Sequence, residues 1–245
     1  MNIIRYQRPD ILMIQETKMK KDSLGKIKFS SLMSGEASDS DGASGGLLTL
    51  FKTKLFRVES VFNEGNILFC KVFHIHSNEY WFLLNLYAPN NKRDRKSFWS
   101  RTEGLVQNNN MKKGIIIGDF NTPLLDKEKK GGMPQDWDSK HDLSNFINGL
   151  AFLDLDLMGG EFTWSNKRLG LDCIQVRLDR ALISPDWLQS SSCKLALLRR
   201  IGSDHSPISL SIVPLDPFRP PPFHFEKMWT SHPNLLEKIK DLVEH

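Results

Sequence analysis

A chain of 245 residues, 40% hydrophobic and 25% charged, is long enough to bury one sizeable core, and its net charge of +4 permits an anionic partner without requiring one. No apolar run approaches the length of a membrane span, and the opening MNIIRYQRPD lacks the apolar stretch of a secretory signal. Three widely spaced cysteines, Cys70, Cys173 and Cys193, suit neither a disulfide framework nor a CxxC zinc site, so an intracellular, non-secreted protein is expected.

Residues 1–8 read as the tail of a helix stopped at Pro9. DILMIQET follows as a buried strand, Ile11 to Ile14, that ends in Gln15, Glu16 and Thr17. A lone Glu there is ordinarily just solvated. KMKKDSLGKIK reads as a basic exposed face and SGEASDSDGASGG as a loop by composition. Asp39 and Asp41 lack the closing Glu of a calcium loop, and Gly45-Gly46 lacks the Lys-Ser/Thr of a phosphate-binding loop. Strands are expected at Leu47 to Phe51, Leu55 to Phe62, Ile67 to His76 and Tyr80 to Tyr87. Cys70, His74 and His76 share a face of the third, where a half-exposed strand is a simpler reading than a metal site short of a fourth ligand. The fourth strand ends with Asn85 and Tyr87 on one side, and Lys92, Arg93, Arg95 and Lys96 follow directly.

Phe98, Trp99, Leu105 and Val106 give a helical stripe, interrupted near Gly104. The next stretch, GIIIGDFNTPL, organises the rest. Ile115 to Ile117 read as a fully buried strand, beyond which Asp119 and Asn121, two residues apart on extended backbone, point the same way. A glycine-broken loop with Lys127, Lys129 and Lys130 precedes a helix capped by Ser139 with Leu143, Phe146, Ile147 and Leu150 inward. GGEFTWSNK reads as a short strand with Phe162 and Trp164 on one face, and CIQVRLDRALIS as a strand carrying Arg177 and Asp179 on one side. Asp204-His205 opens a last strand, Ile208 to Val213. Residues 214–222 read as a proline-rich linker, and 223–245 as a following segment whose helix buries Leu235, Leu236, Ile239, Leu242 and Val243.

Each polar cluster taken singly is an ordinary turn or strand end. Glu16, Tyr87, Asp119 with Asn121, Arg177 with Asp179, and Asp204-His205 all sit at strand ends of one alternating α/β chain, and together they favour a common site. Carboxylates, an amide, a phenol and a histidine, without a Ser or Cys nucleophile in a glycine turn, suit metal-assisted attack of water on a phosphate ester. Hard oxygens select Mg²⁺, with Mn²⁺ as an alternative.

The ordered series QET, LYAPN, GDFNTP, FTWSN, VRLDRALIS and GSDHSPI, over about residues 1–213, resembles the endonuclease/exonuclease/phosphatase (DNase I-like) superfamily. Its wording is closest to the endonuclease domain of plant LINE-type non-LTR retrotransposons. The resemblance implies a four-layer α/β sandwich, two mixed β-sheets face to face with helices outside. It implies metal binding by Glu16 and Asp204, and catalytic roles for Tyr87, Asp119, Asn121, Asp179 and His205, with Asp179 orienting the histidine. Which group removes the proton of water stays open. Lys92, Arg93, Arg95, Trp164 and Arg177 are expected substrate contacts. DNA is the expected partner, no membrane is expected, a reverse transcriptase region is expected downstream, and a nuclear location follows if chromosomal DNA is the target. The resemblance also implies a strand ending in Asn ahead of Met1. Two other readings compete. One is a phosphatase of small phosphoesters or phosphoinositides, although VRLDR stands where inositol polyphosphate phosphatases of this fold carry Trp-Cys-Asp-Arg. The other is a non-catalytic remnant that binds nucleic acid at most.

Overall fold

Apolar residues at every position of Ile115 to Ile117, and at every position of Phe82 to Leu86 except Asn85, require a sheet covered on both faces. The computed structural model describes residues 2–19, 33–41, 44–109, 112–134 and 136–215, and it contains that sheet. The chain divides into two units, 1–213 and 214–245. The second expected helix and nearly all of the linker, from residue 216 on, lie outside the described residues, as does most of KMKKDSLGKIK.

The elements in chain order are α1 (Asn2–Gln7), β1 (Ile11–Gln15), β2 (Met33–Asp41), β3 (Ser44–Lys52), β4 (Phe56–Glu64), β5 (Ile67–His74) and β6 (Glu79–Tyr87). Then come α2 (Lys92–Asn109), β7 (Lys113–Asp119), β8 (Lys129–Lys130), α3 (Trp137–Leu150), β9 (Leu153–Asp154), β10 (Leu157–Met158) and β11 (Trp164–Ser165). The last are β12 (Gln175–Val176), β13 (Asp179–Ile183), α4 (Asp186–Ser190), β14 (Ser191–Leu197) and β15 (Ile208–Pro214).

The fold is the expected mixed α/β arrangement. Its centre is a six-stranded sheet ordered β4-β5-β6-β7-β13-β9. The sheet is mixed because β6 and β7 run parallel while its other pairings are antiparallel. Instead of a single second sheet, the described residues form three smaller ones, β1-β3-β2, β10-β14-β15 and β11-β12-β8. Strands of two residues, such as β8, β10, β11 and β12, cannot extend a ladder, so the second layer is broken into pieces.

Alternation along the central strands sorts side chains into two cores. Phe82, Leu84, Leu86, Ile116 and Leu182 pack on Phe98, Trp99 and Val106 of α2 and on Leu143, Phe146 and Ile147 of α3. From the other face, Leu83, Tyr87, Ile115 and Ile183 pack on Leu47 and Phe51 of β3 and on Trp187. Cys70 is buried in this second core, so it shares no exposed face with His74, whose ring stacks on Trp81 at 4.3 Å. Asn85 bolts the layers together: its amide donates to the carbonyls of Ile14 and Leu48, and its oxygen accepts from Gln15 at 2.6 Å.

Four local expectations are corrected. SGEASDSDGASGG is a hairpin, not a loop, because the apolar β3 recruits β2 as its partner in register from Met33↔Lys52 to Asp41↔Ser44. The α2 helix runs through Gly104, where the missing side chain leaves no packing partner to lose. Asp136, not Ser139, caps α3: its carboxylate accepts the Ser139 N–H at 3.2 Å, and Ser139 lies inside the first turn. CIQVRLDRALIS is split between β12 and β13, so Arg177 and Asp179 do not share a strand face. No helix among the described residues is long and apolar enough to cross a membrane.

The parallel pair β6/β7 depends on one glycine. Gly118 lies opposite Leu86, and a methyl there would overlap the Leu86 carbonyl oxygen, which is backbone and cannot swing aside. Gly118→Ala is therefore expected to destabilise the protein by about 1–3 kcal/mol, the usual range for forced overpacking. A chemical melt indistinguishable from that of the parent would contradict this packing.

Candidate active site

Register brings the polar groups together. Tyr87 pairs with Asp119 across β6/β7, and Asp119 pairs with Asp179 across β7/β13. Since all three lie on the inter-sheet face, a phenol and two carboxylates form a row at one end of the sheet. His205 completes it, with Nδ1 2.9 Å from Asp179 Oδ2 and Nε2 3.8 Å from Asp119 Oδ2. From the facing layer Glu16, just past β1, accepts the Tyr87 hydroxyl at 2.5 Å. Asn121 donates its backbone N–H to Asp119 Oδ1 at 2.9 Å and its side-chain amide to the Ala88 carbonyl at 2.6 Å. Asp204 Oδ2 accepts the indole N–H of Trp164 at 2.9 Å.

Two of these residues are held in left-handed backbone, Glu16 at φ 51° and Asn121 at φ 49°. Asn tolerates this conformation; for Glu it is a strained position of the kind that concentrates at working sites. Glu16 is kept there because the Thr17 and Lys18 amides bond to the carbonyls of Gly46 and Gly45, whose own φ values of 85° and 72° need glycine.

A family model described as the endonuclease/exonuclease/phosphatase family matches residues 1–205. The chain belongs to that family. No curated protein sequence matches it closely enough to count as a relative. Among solved structures, the 3'-5' exonuclease NExo from Neisseria meningitidis superposes with a TM-score of 0.68 at 15% identity, over 86% of this chain and 92% of that one. The Xenopus laevis APE2 catalytic domain gives 0.68 at 17% identity, over 89% and 88%. The endonuclease domain of TRAS1, a telomere-specific non-LTR retrotransposon, gives 0.66 at 16% identity, over 86% and 89%. At such identities the likeness is one of fold.

Of the residues expected at the family site, Glu16, Tyr87, Asp119, Asn121, Asp179 and His205 are joined by hydrogen bonds and register, and Asp204 adjoins His205 through the chain. Lys92, Arg93 and Trp164 are at least partly exposed, and Lys92 pairs with Asp136 at 3.3 Å. Arg95 and Arg177 are not placed to touch substrate. Arg95 is 7% exposed and donates to the carbonyls of Pro89, Asn90 and Asn121 and to Ser139 Oγ. Arg177 joins Arg180, Glu128 and Asp154 in a buried quartet of two cations and two anions. The quartet escaped the sequence reading because Glu128 lies in a run of lysines and Asp154 in an apolar stretch. Thr163 escaped as well, although it stands in the FTWSN motif.

The site is electrostatically loaded. Burial, then the charge of Asp179, push Asp119 up to about 7, with Glu16 adding and His205 and the Asn121 N–H opposing. Burial and the bond to Glu16 raise Tyr87 well above an ordinary phenol, so it stays a neutral donor. Burial alone would lower His205, but its bond to Asp179, with the charges of Asp179, Asp119 and Asp204, carries it up to about 9.

His205 binds its proton more tightly folded than unfolded, so its contribution is complete below its ordinary 6.5 and is lost as pH rises through about 9. Asp119 is also raised when folded, so its ionisation destabilises the fold increasingly as pH climbs from its ordinary 3.8 through about 7. In EDTA, Asp119→Asn should melt several degrees above the parent at about pH 8, with the gap closing near about pH 4. A variant less stable than the parent at both pH values would refute the buried-charge account.

Proposed function

We propose that this chain is a divalent-metal-dependent phosphodiesterase that nicks DNA, of the kind carried by non-LTR retrotransposons. The observation that carries the proposal is the row Tyr87, Asp119, Asp179 with His205 closed onto it and Glu16 opposite. The protonated His205, held by Asp179, donates to a phosphate oxygen. Asp119, with a pKa near 7, is matched to orienting water and accepting its proton at neutral pH. Asn121, its amide steadied by the Ala88 carbonyl, lies beside it, and Tyr87, whose hydroxyl donates to Glu16, stands on the other flank.

The residues fit a hard cation. Asp119, Asp179 and Asp204 act on the one imidazole and Glu16 on Asp119, an excess of negative charge made only of oxygen donors. Among the described residues no group of three or more His, Cys, Asp or Glu side chains is assembled as a metal site. Mg²⁺ is usually held by one or two carboxylates plus water and substrate phosphate. Glu16 and Asp204 are the proposed holders, and the bound cation would offset charge on the phosphoryl oxygens.

DNA is the substrate this reading favours. The Neisseria protein, also described as a 3' phosphatase, is known bound to a product DNA hairpin, and TRAS1 is a retrotransposon endonuclease. Lys92 and Arg93 begin α2 just beyond the β6 end that carries Tyr87, and Lys127, Lys129 and Lys130 lie in the segment after β7, the last two in β8. In this reading these cations would meet backbone phosphates. Action on chromosomal DNA would place the protein in the nucleus.

The direct test is nicking of supercoiled plasmid in Mg²⁺, abolished by EDTA. Asp119→Ala and His205→Ala should each lower the rate by roughly two orders of magnitude or more, the scale of a lost acid–base or electrostatic group. Undiminished nicking by both variants would sink the site. A second measurement addresses substrate class. DNA affinity should fall steeply with salt, and Lys92→Gln or Arg93→Gln should each reduce the slope by about 1. Salt-independent binding with rapid turnover of inositol phosphates would instead identify a small-phosphoester phosphatase.

A further inference from the structure

Asp179 stands at a corner. The β12 strand ends at Val176, β13 starts at Asp179, and Arg177 and Leu178 link them. Buried backbone groups at such a corner need partners from elsewhere. Thr163 provides them from a fully buried position. Its hydroxyl oxygen accepts the backbone N–H groups of both Leu178 and Asp179, at 2.9 and 3.0 Å. Its own N–H donates to the Val176 carbonyl at 3.0 Å, and its carbonyl accepts the Ser206 N–H at 2.7 Å.

One residue therefore ties the segment that delivers Asp179 to the turn that delivers His205. The following residue extends the tie, because Trp164 bridges His205 in antiparallel register and holds Asp204 by its indole N–H. Leu178 carries it to the third strand, its carbonyl accepting the N–H of Phe120 at 2.9 Å, between Asp119 and Asn121. On the opposite face the corner is gripped by Glu128 and Asp154 through Arg177 and Arg180.

We propose that Thr163 is a positioning residue for phosphodiester hydrolysis: its hydroxyl sets the placement of Asp179 against His205. This deepens the proposed function and rests on Asp179 and His205 being a working pair. Thr163 touches neither substrate nor reacting atoms, and its effect runs through the backbone of Asp179. Thr163→Val keeps the shape and removes the acceptor, leaving the half-buried Leu178 and buried Asp179 amides without it, whereas Thr163→Ser keeps the acceptor.

The experiment is a double-mutant cycle on plasmid nicking in Mg²⁺ with Thr163→Val, Thr163→Ser, Asp179→Asn and the Val/Asn double variant. Thr163→Val should lower kcat roughly ten- to hundred-fold at unchanged KM, the scale of a slightly misplaced catalytic group. Thr163→Ser should stay near the parent, and in the Asp179→Asn background valine should add little. Parental kcat in the valine variant, an equal loss in the serine variant, or full additivity with Asp179→Asn would each overturn the proposal. Should valine not fold, Thr163→Cys, similar in size but a weak acceptor, takes its place in the same cycle. If Asp179→Asn and His205→Ala both nick at the parental rate, the site reading fails; if they lose activity and Thr163→Val does not, the positioning role alone fails.

Discussion

The polar row at one end of the central sheet depends on the register in which β6, β7 and β13 lie side by side. Only one alignment places Tyr87 against Asp119 and Asp119 against Asp179 on the inter-sheet face. A slip of one residue on any strand would turn its side chains to the helix-side core and offer Leu86, Gly118 or Arg180 in their place. The alignment is enforced by both cores, since Leu84, Ile116 and Leu182 must face the helices while Leu83, Ile115 and Ile183 face β3 and Trp187. Gly118 allows β7 to approach the Leu86 carbonyl closely enough for the ladder to persist to its last pair.

That end of the sheet also collects charge that the fold alone would not favour. Asp119 lies beside Asp179 and within the field of Glu16, and its raised pKa expresses the cost of holding like charges away from water. His205 offsets part of this, and a hard cation would offset more. On the other face of β13 the situation is reversed. Arg177, Arg180, Glu128 and Asp154 balance two against two, and each arginine bridges both acids. A buried neutral quartet of this kind contributes little net stability compared with apolar packing. It does hold the β12/β13 corner in one geometry, and that corner sets where Asp179 points.

The sequence carried much of this directly. Apolar runs marked β1, β5, β6 and β7, the stripe at Leu143, Phe146 and Ile147 marked α3, and strand-end polar groups marked Glu16, Tyr87, Asp119, Asn121, Asp179 and His205. Those signals are local, a period of two or of 3.6 and an abrupt change from apolar to polar, so they survive without knowledge of neighbours. Arg95 and Arg177 misled because a basic residue beside a strand end looks like a phosphate contact from sequence. Their guanidinium groups in fact satisfy partners that include the Asn121 carbonyl and the Glu128 and Asp154 carboxylates, brought in from 26, 49 and 23 positions away. Glu128 and Asp154 were invisible for the same reason, and Thr163 showed only as part of a motif. Tertiary structure alone decided which charges are buried, because burial depends on partners distant in the chain. It also broke the second layer into separate short sheets. What sequence determined is which residues stand at strand ends; what packing determined is which of them meet, since meeting requires a register that only the assembled cores impose.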